Sequence, residues 1–241
     1  MKKLLTGLTV LTMFFTFQGA YADSSQPLAG VTAVILGESH MSIEGQLITT
    51  LPDYLIQLGA KVYAYGACGA TPSAWVKKKS AYCSAFRINS GPIRNRPGDI
   101  ATTESVGKLI TKDKANLVIV VEGDTMGSYD QKALLKSWIW DEVSALTKEI
   151  KSYGTRCVWV GPVWGHEGGK YIKNNVRVKE LSDYLSTIVE PCTYIDSLTF
   201  SKIGEWKTID GEHLNSEGYE GWARGITKTL TSPEVLKAIK G

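Results

Sequence analysis

Five short apolar runs, separated by stretches of helical period, constrain this 241-residue chain more than any other feature. The runs fall at residues 32–36, 62–65, 117–121, 157–160 and 193–195. Between the first two, Leu47, Leu51, Tyr54, Leu55 and Leu58 recur every three to four positions, as one face of a helix requires, and Gly59 stops it. The period returns over residues 131–153 through Leu134, Leu135, Trp138, Ile139, Val143, Leu146 and Ile150. It returns again over 171–189 through Val178, Leu181, Leu185 and Ile188. Asn215 can cap a last major helix containing Tyr219, Trp222, Ala223, Ile226 and Leu230. Strands alternating with helices predict a parallel sheet covered on both faces, with any site beyond the carboxyl ends of the strands.

The first run ends in such a place. Val34-Ile35-Leu36 leads into Gly37-Glu38-Ser39, a buried strand with a hydroxyl on the turn that follows it. Late in the chain stands Asp210-Gly211-Glu212-His213. Serine is a weak nucleophile alone. A histidine can take its proton, and an aspartate can orient and stabilise the resulting imidazolium.

The first residues do not belong to the domain. Lys2 and Lys3 precede an apolar stretch over 4–17, and Ala20-Tyr21-Ala22 offers a small-x-small cleavage site. Residues 1–22 therefore read as a secretory signal peptide and 23–241 as one domain. The short leader is bacterial in style, so a periplasmic or secreted protein is expected, with no membrane insertion after cleavage. Removing Lys2 and Lys3 takes the formal charge from +3 to +1, which gives no argument for a nucleic-acid partner. In an oxidising compartment the four cysteines favour two disulfides, with three pairings open. Cys157 and Cys192 each begin an expected strand and are paired across neighbours. Cys68 and Cys83 then close a loop of about 15 residues, a staple of roughly 3 kcal/mol.

Residues 70–97 have no clean period and read as a stapled loop. They carry Lys77, Lys78, Lys79, Arg87, Arg94 and Arg96, either a solvated face or an attraction for an anionic glycan. Trp75 and Trp164 follow the second and fourth strands, where exposed rings would stack on a sugar; His166 lies on the same edge. His40 is read as structural. No spacing of histidines or acids suggests a metal, and no cofactor is expected.

With these residues in hand, the chain resembles the SGNH hydrolases, the GDSL esterase/lipase superfamily. The resemblance spans most of residues 23–241 in four ordered blocks. Gly37-Glu38-Ser39 matches the family's Gly-Asp-Ser, which implies Ser39 as nucleophile and its N–H as an oxyanion donor. Cys68-Gly69-Ala70-Thr71 matches the glycine turn after strand two, which implies Gly69 N–H as a second donor. Gly123-Asp124-Thr125-Met126 aligns with Gly-x-Asn-Asp and puts Thr125 where the family has its donor asparagine. Asp210 and His213 match the last block unchanged. The implied fold is a flavodoxin-like three-layer sandwich: a single α/β domain with a five-stranded parallel sheet and helices on both faces.

Two departures stand out. Glu38 keeps the family's charge but adds a methylene. Thr125 has a shorter donor than a carboxamide, and losing one oxyanion donor typically costs about 10²–10³ in rate. Asp124 adds negative charge beside a site meant to stabilise an anion, so its side chain is expected to point away. The resemblance implies an exported serine esterase removing small acyl groups, acetyl foremost, from a cell-envelope or extracellular glycan. A polysaccharide O-acetyltransferase and a catalytically weak glycan-binding module on the same fold are the alternatives.

Overall fold

The computed structural model describes residues 26–241, so the expected signal peptide lies outside the described residues. Five strands form the parallel body of the sheet: β1 (Thr32–Gly37), β2 (Lys61–Ala67), β5 (Leu117–Val121), β6 (Arg156–Val160) and β7 (Thr193–Ile195). β3 (Cys83–Ile88) and β4 (Arg94–Pro97) extend it antiparallel from the β2 edge. The helices are α1 (Leu47–Gln57), α2 (Val106–Asp113), α3 (Lys136–Ser152), α4 (Asn175–Ile188), α5 (Ser216–Leu230) and α6 (Pro233–Lys240).

The sheet therefore has seven strands in the order β4-β3-β2-β1-β5-β6-β7, and is mixed, not five-stranded and parallel as expected. The added hairpin occupies the stretch read as a loop. Its residues gave no period because β4 is exposed throughout and β3 alternates only weakly. Arg94, Arg96 and Pro97 on this outer strand discourage further pairing. Arg87, counted above among the basic residues of a loop, instead turns inward: its guanidinium bonds Asp53 Oδ1 and the Thr49 carbonyl at 2.6 Å each.

Strand alternation explains the three layers. Ala33, Ile35, Leu117, Ile119, Val121, Val158 and Val160 face α1, α5 and α6. Val34, Leu36, Val118, Val120, Cys157 and Trp159 face α2, α3 and α4. Being apolar on both faces, the central strands read as continuous apolar runs. Two disulfides cross the fold: Cys68–Cys83 joins the end of β2 to the start of β3, and Cys157–Cys192 ties β6 to the segment entering β7.

Two helix starts differ from the sequence pattern. α3 begins at Lys136 rather than 131, and α4 at Asn175 rather than 171. Asn174 caps α4 through Arg177 N at 2.8 Å, which releases residues 171–173 to the wall of the site. The short helices α2 and α6 were not expected, although Ser232-Pro233 is a start signal for α6.

The turn that carries Ser39 depends on two glycines. Gly37 and Gly66 sit side by side in the β1–β2 register, and the Ser39–Met41 turn folds back across them. A Cβ on Gly66 would run into the Met41 carbonyl, and one on Gly37 into the Met41 side chain. Gly66→Ala is expected to destabilise the fold by about 1–3 kcal/mol in urea denaturation, as overpacking does.

Candidate active site

The turns after β1, β2 and β5 and the loop before α5 meet at the carboxyl end of the sheet. Ser39 Oγ lies 2.7 Å from His213 Nε2, and His213 Nδ1 lies 2.7 Å from Asp210 Oδ2. The other carboxylate oxygen of Asp210 accepts the backbone N–H groups of His213 at 2.8 Å and Glu212 at 3.0 Å. Partial burial would raise the Asp210 carboxyl, but the backbone and ring N–H groups of His213 outweigh it and hold it below its ordinary value. Asp210 is thus an ionised acceptor that fixes the imidazole with Nε2 towards the serine.

Glu38 reaches the same hydroxyl. Its Oε2 lies 2.6 Å from Ser39 Oγ. The hydroxyl has one proton and two acceptors, Glu38 and His213. When it donates to Glu38, His213 can face the serine only as an N–H donor.

Beneath the serine is a buried polar network. His40 is fully buried, with Nδ1 2.9 Å from the Tyr219 hydroxyl and Nε2 2.8 Å from Asp124 Oδ2. Lys173 Nζ lies 2.7 Å from the same Asp124 oxygen, and the Tyr129 hydroxyl donates to Asp124 Oδ1 at 2.5 Å. Asp124 lies in the cavity wall but its carboxylate is held by these three partners. Burial would raise it, yet Lys173 and His40 outweigh that and hold it well below the usual carboxylate range. Burial would lower His40, and the charges of Glu38 and Asp124 more than reverse it. Glu38, His40 and Asp124 have the reach of a metal-ligand set. Both His40 nitrogens already have partners, however, and the Lys173 ammonium occupies the Asp124 oxygen, so the donor set does not fit a divalent cation.

Ser39, Gly69, Thr125 and His213 open into one cavity of about 720 Å³. Gly69 takes φ +71°, a conformation that favours glycine, and its N–H has no partner among the described residues. Thr125 stands in the wall with Oγ1 3.4 Å from Glu122 Oε2. Burial, with the nearby charge of Glu38, pushes the Glu122 carboxyl well above its ordinary value.

Three residues expected at the substrate stand elsewhere. Trp75 is only 1 % exposed, packed in the α2–α3 layer with its N–H on Glu122 Oε1 at 2.9 Å, because the turn after β2 folds inward. Trp164 turns its N–H to the Leu198 carbonyl at 3.1 Å, and His166 is exposed; neither lines the cavity. The aromatic lining comes instead from Tyr82, Tyr129 and Tyr171, with Ile43, Ile172 and Ile209 around them. Tyr171 meets His213 edge-on at 5.5 Å between ring centres. Tyr171, Ile172 and Lys173 were hidden inside an over-extended helical period. No sequence signal singled out Tyr82, which is 86 % exposed.

Glu212 also lines the cavity, with no hydrogen-bond donor on its carboxyl among the described residues. Burial, then the charges of Asp124 and Glu38, push it up to about 8. This raised value carries a sign: the stability of the neutral form is fully present below the unfolded value near 4.5 and is lost as pH rises through about 8. The stability of the native chain relative to Glu212→Gln is therefore expected to fall by up to about 1.4 kcal/mol per pH unit in that window, read by urea denaturation. A constant difference across it would contradict the assignment. Lys173→Met is expected to cost about 3–5 kcal/mol in the same assay, since it strands a buried carboxylate.

No family model matches the sequence. The chain is 37 % identical over 212 residues to protein BcsX of Komagataeibacter xylinus, covering 87 % of this chain and 80 % of that one. Its fold matches a GDSL-like lipase from Bacteroides thetaiotaomicron with TM-score 0.53 and 14 % identity, over 83 % of this chain and 87 % of the other. It also matches a carbohydrate esterase family 3 protein from Talaromyces cellulolyticus with TM-score 0.56 and 11 % identity, over 86 % and 98 %. The overall fold is thus a known scaffold: the chain belongs to the BcsX family and has the SGNH hydrolase fold.

Proposed function

We propose that this chain is an exported serine esterase that removes small acyl groups, acetyl foremost, from a cell-envelope or extracellular carbohydrate. The observation that carries the reading is the unbroken line Ser39 Oγ, His213, Asp210, opening on a cavity beside Gly69. Ser39 attacks the ester carbonyl as His213 takes its proton, and Asp210 steadies the imidazolium. The oxyanion faces the N–H groups of Ser39 and Gly69, with Thr125 as a weaker third donor. His213 then gives its proton to the leaving alcohol, and water repeats the cycle on the acyl-serine. The tyrosine rim suits a sugar ring, and the carbohydrate esterase among the fold relatives supports that class. The two disulfides support an oxidising compartment.

Hydrolysis of p-nitrophenyl acetate and of acetylated oligosaccharides tests this reading. Ser39→Ala is expected to lower kcat on the order of 10⁴-fold or more. Thr125→Asn is expected to raise it, by up to about 10²-fold where the amide reaches the oxyanion. Equal, slow release by the native chain and Ser39→Ala would count against an esterase.

A further inference from the structure

Glu212 has no task in the mechanism above, yet its place is tightly set. Gly211, at φ +98°, turns the chain, and the Glu212 N–H donates to Asp210 Oδ1 at 3.0 Å. The carboxyl then comes near the imidazole, with Oε1 3.9 Å from His213 Nε2. The carboxyl is mostly buried, faces the cavity and has no protein donor on it among the described residues. An oxygen atom at ordinary hydrogen-bond distance, about 2.8 Å, from both Nε2 and Oε1 fits between atoms so spaced. Nε2 is the atom that delivers a proton to the departing alcohol oxygen and takes one from the incoming hydroxyl.

We propose that Glu212 binds the alcohol side of the ester, holding against His213 Nε2 the oxygen that leaves in acylation and the hydroxyl that enters in deacylation. This rests on the acyl-serine reading and adds to it a recognition element for hydroxylated acceptors. In deacylation the acceptor oxygen bonds to the acyl carbon and the carbon–Ser39 Oγ bond breaks. The acceptor's proton passes to Nε2 and from there to Ser39 Oγ. Glu212 ends the cycle in the protonation state in which it began: as an acid it can donate to the acceptor oxygen through its O–H and receive the acceptor's neighbouring hydroxyl at its carbonyl oxygen.

The groups around it favour that form. Glu38 from the turn after β1 and Asp124 from the turn after β5 press negative charge on it. His40 and Lys173 offset part of this, while Tyr129, Asp210 and His213 complete its titratable surroundings. Above pH of about 8 the carboxylate forms and the donor is lost.

Rapid-mixing kinetics with p-nitrophenyl acetate separate this proposal from the reading beneath it. p-Nitrophenolate leaves without help, so the nitrophenol burst reports acylation of Ser39 and a competent site. The steady state, run in water and with added glycerol, reports deacylation. In Glu212→Leu the burst is expected to survive while deacylation slows about tenfold, the worth of one hydrogen bond. The share of acetyl passed to glycerol is expected to fall with it. Glu212→Gln, which keeps a donor and an acceptor, is expected to recover most of the rate and to lack the decline expected of the native chain above pH of about 8. A burst followed by native deacylation, native partitioning and a native pH profile in Glu212→Leu would overturn the role of Glu212 and leave the esterase intact. No burst in the native chain, or the same burst in Ser39→Ala, would overturn the acyl-serine reading and this inference with it.

Discussion

The carboxylate of Asp124 is the point on which the carboxyl end of the sheet is assembled. Its three partners come from different stretches of chain: His40 from the turn after β1, Tyr129 from beyond β5, Lys173 from the segment leading into α4. His40 carries the connection on to Tyr219 of α5. A buried carboxylate is tolerable only when it accepts hydrogen bonds and a cation lies beside it, and here both conditions hold. The arrangement also answers an electrostatic problem. A bare negative charge at this position would oppose an oxyanion forming beside Ser39. With Lys173 and His40 upon it, Asp124 becomes a fixed anchor whose charge is offset in part, the remainder being felt by Glu212.

Ser39 is thereby held from both sides in sequence, by the anchored His40 and by Glu38. The carboxylate of Glu38 is more than a replacement for the family's aspartate. It lies 2.6 Å from the hydroxyl that His213 deprotonates in the proposed reaction, so two acceptors compete for one proton. The resting site can place the proton on either. While the hydroxyl donates to Glu38 it is not presented to His213 Nε2, so the serine must turn its proton from one acceptor to the other before it can be activated. The same negative charge raises Glu122, Glu212 and His40, so Glu38 affects the ionisation of the whole cavity.

Much of this was legible in the chain, for identifiable reasons. The five parallel strands are buried on both faces and so appear as uninterrupted apolar runs. α1 and α5 carry clean periods, with Gly59 and Asn215 as their stop and start. Ser39, Asp210 and His213 follow strands or precede a helix as their chemistry requires. The β3–β4 hairpin was hidden because an exposed, charged edge has no apolar alternation to read. The aromatic lining was misassigned because loop position says nothing of which way a ring turns. Trp75 went inward to an acid that only the fold brings near, while Tyr82 and Tyr171, unremarkable in sequence, went to the cavity. Glu212 was passed over as the x of Asp-x-x-His. Its environment depends on Asp124 and Glu38, which lie far away in sequence.

The claim on which the account rests is that Ser39 becomes acylated. The most direct measurement is peptide mass spectrometry of the mature chain quenched in acid within the first turnover on p-nitrophenyl acetate. The account predicts one added acetyl group on the peptide carrying Ser39, at a level that grows when His213 is left intact and deacylation is slowed, and none in Ser39→Ala. Turnover with no acyl group on Ser39, or the same acetyl load on other residues in Ser39→Ala, would contradict it.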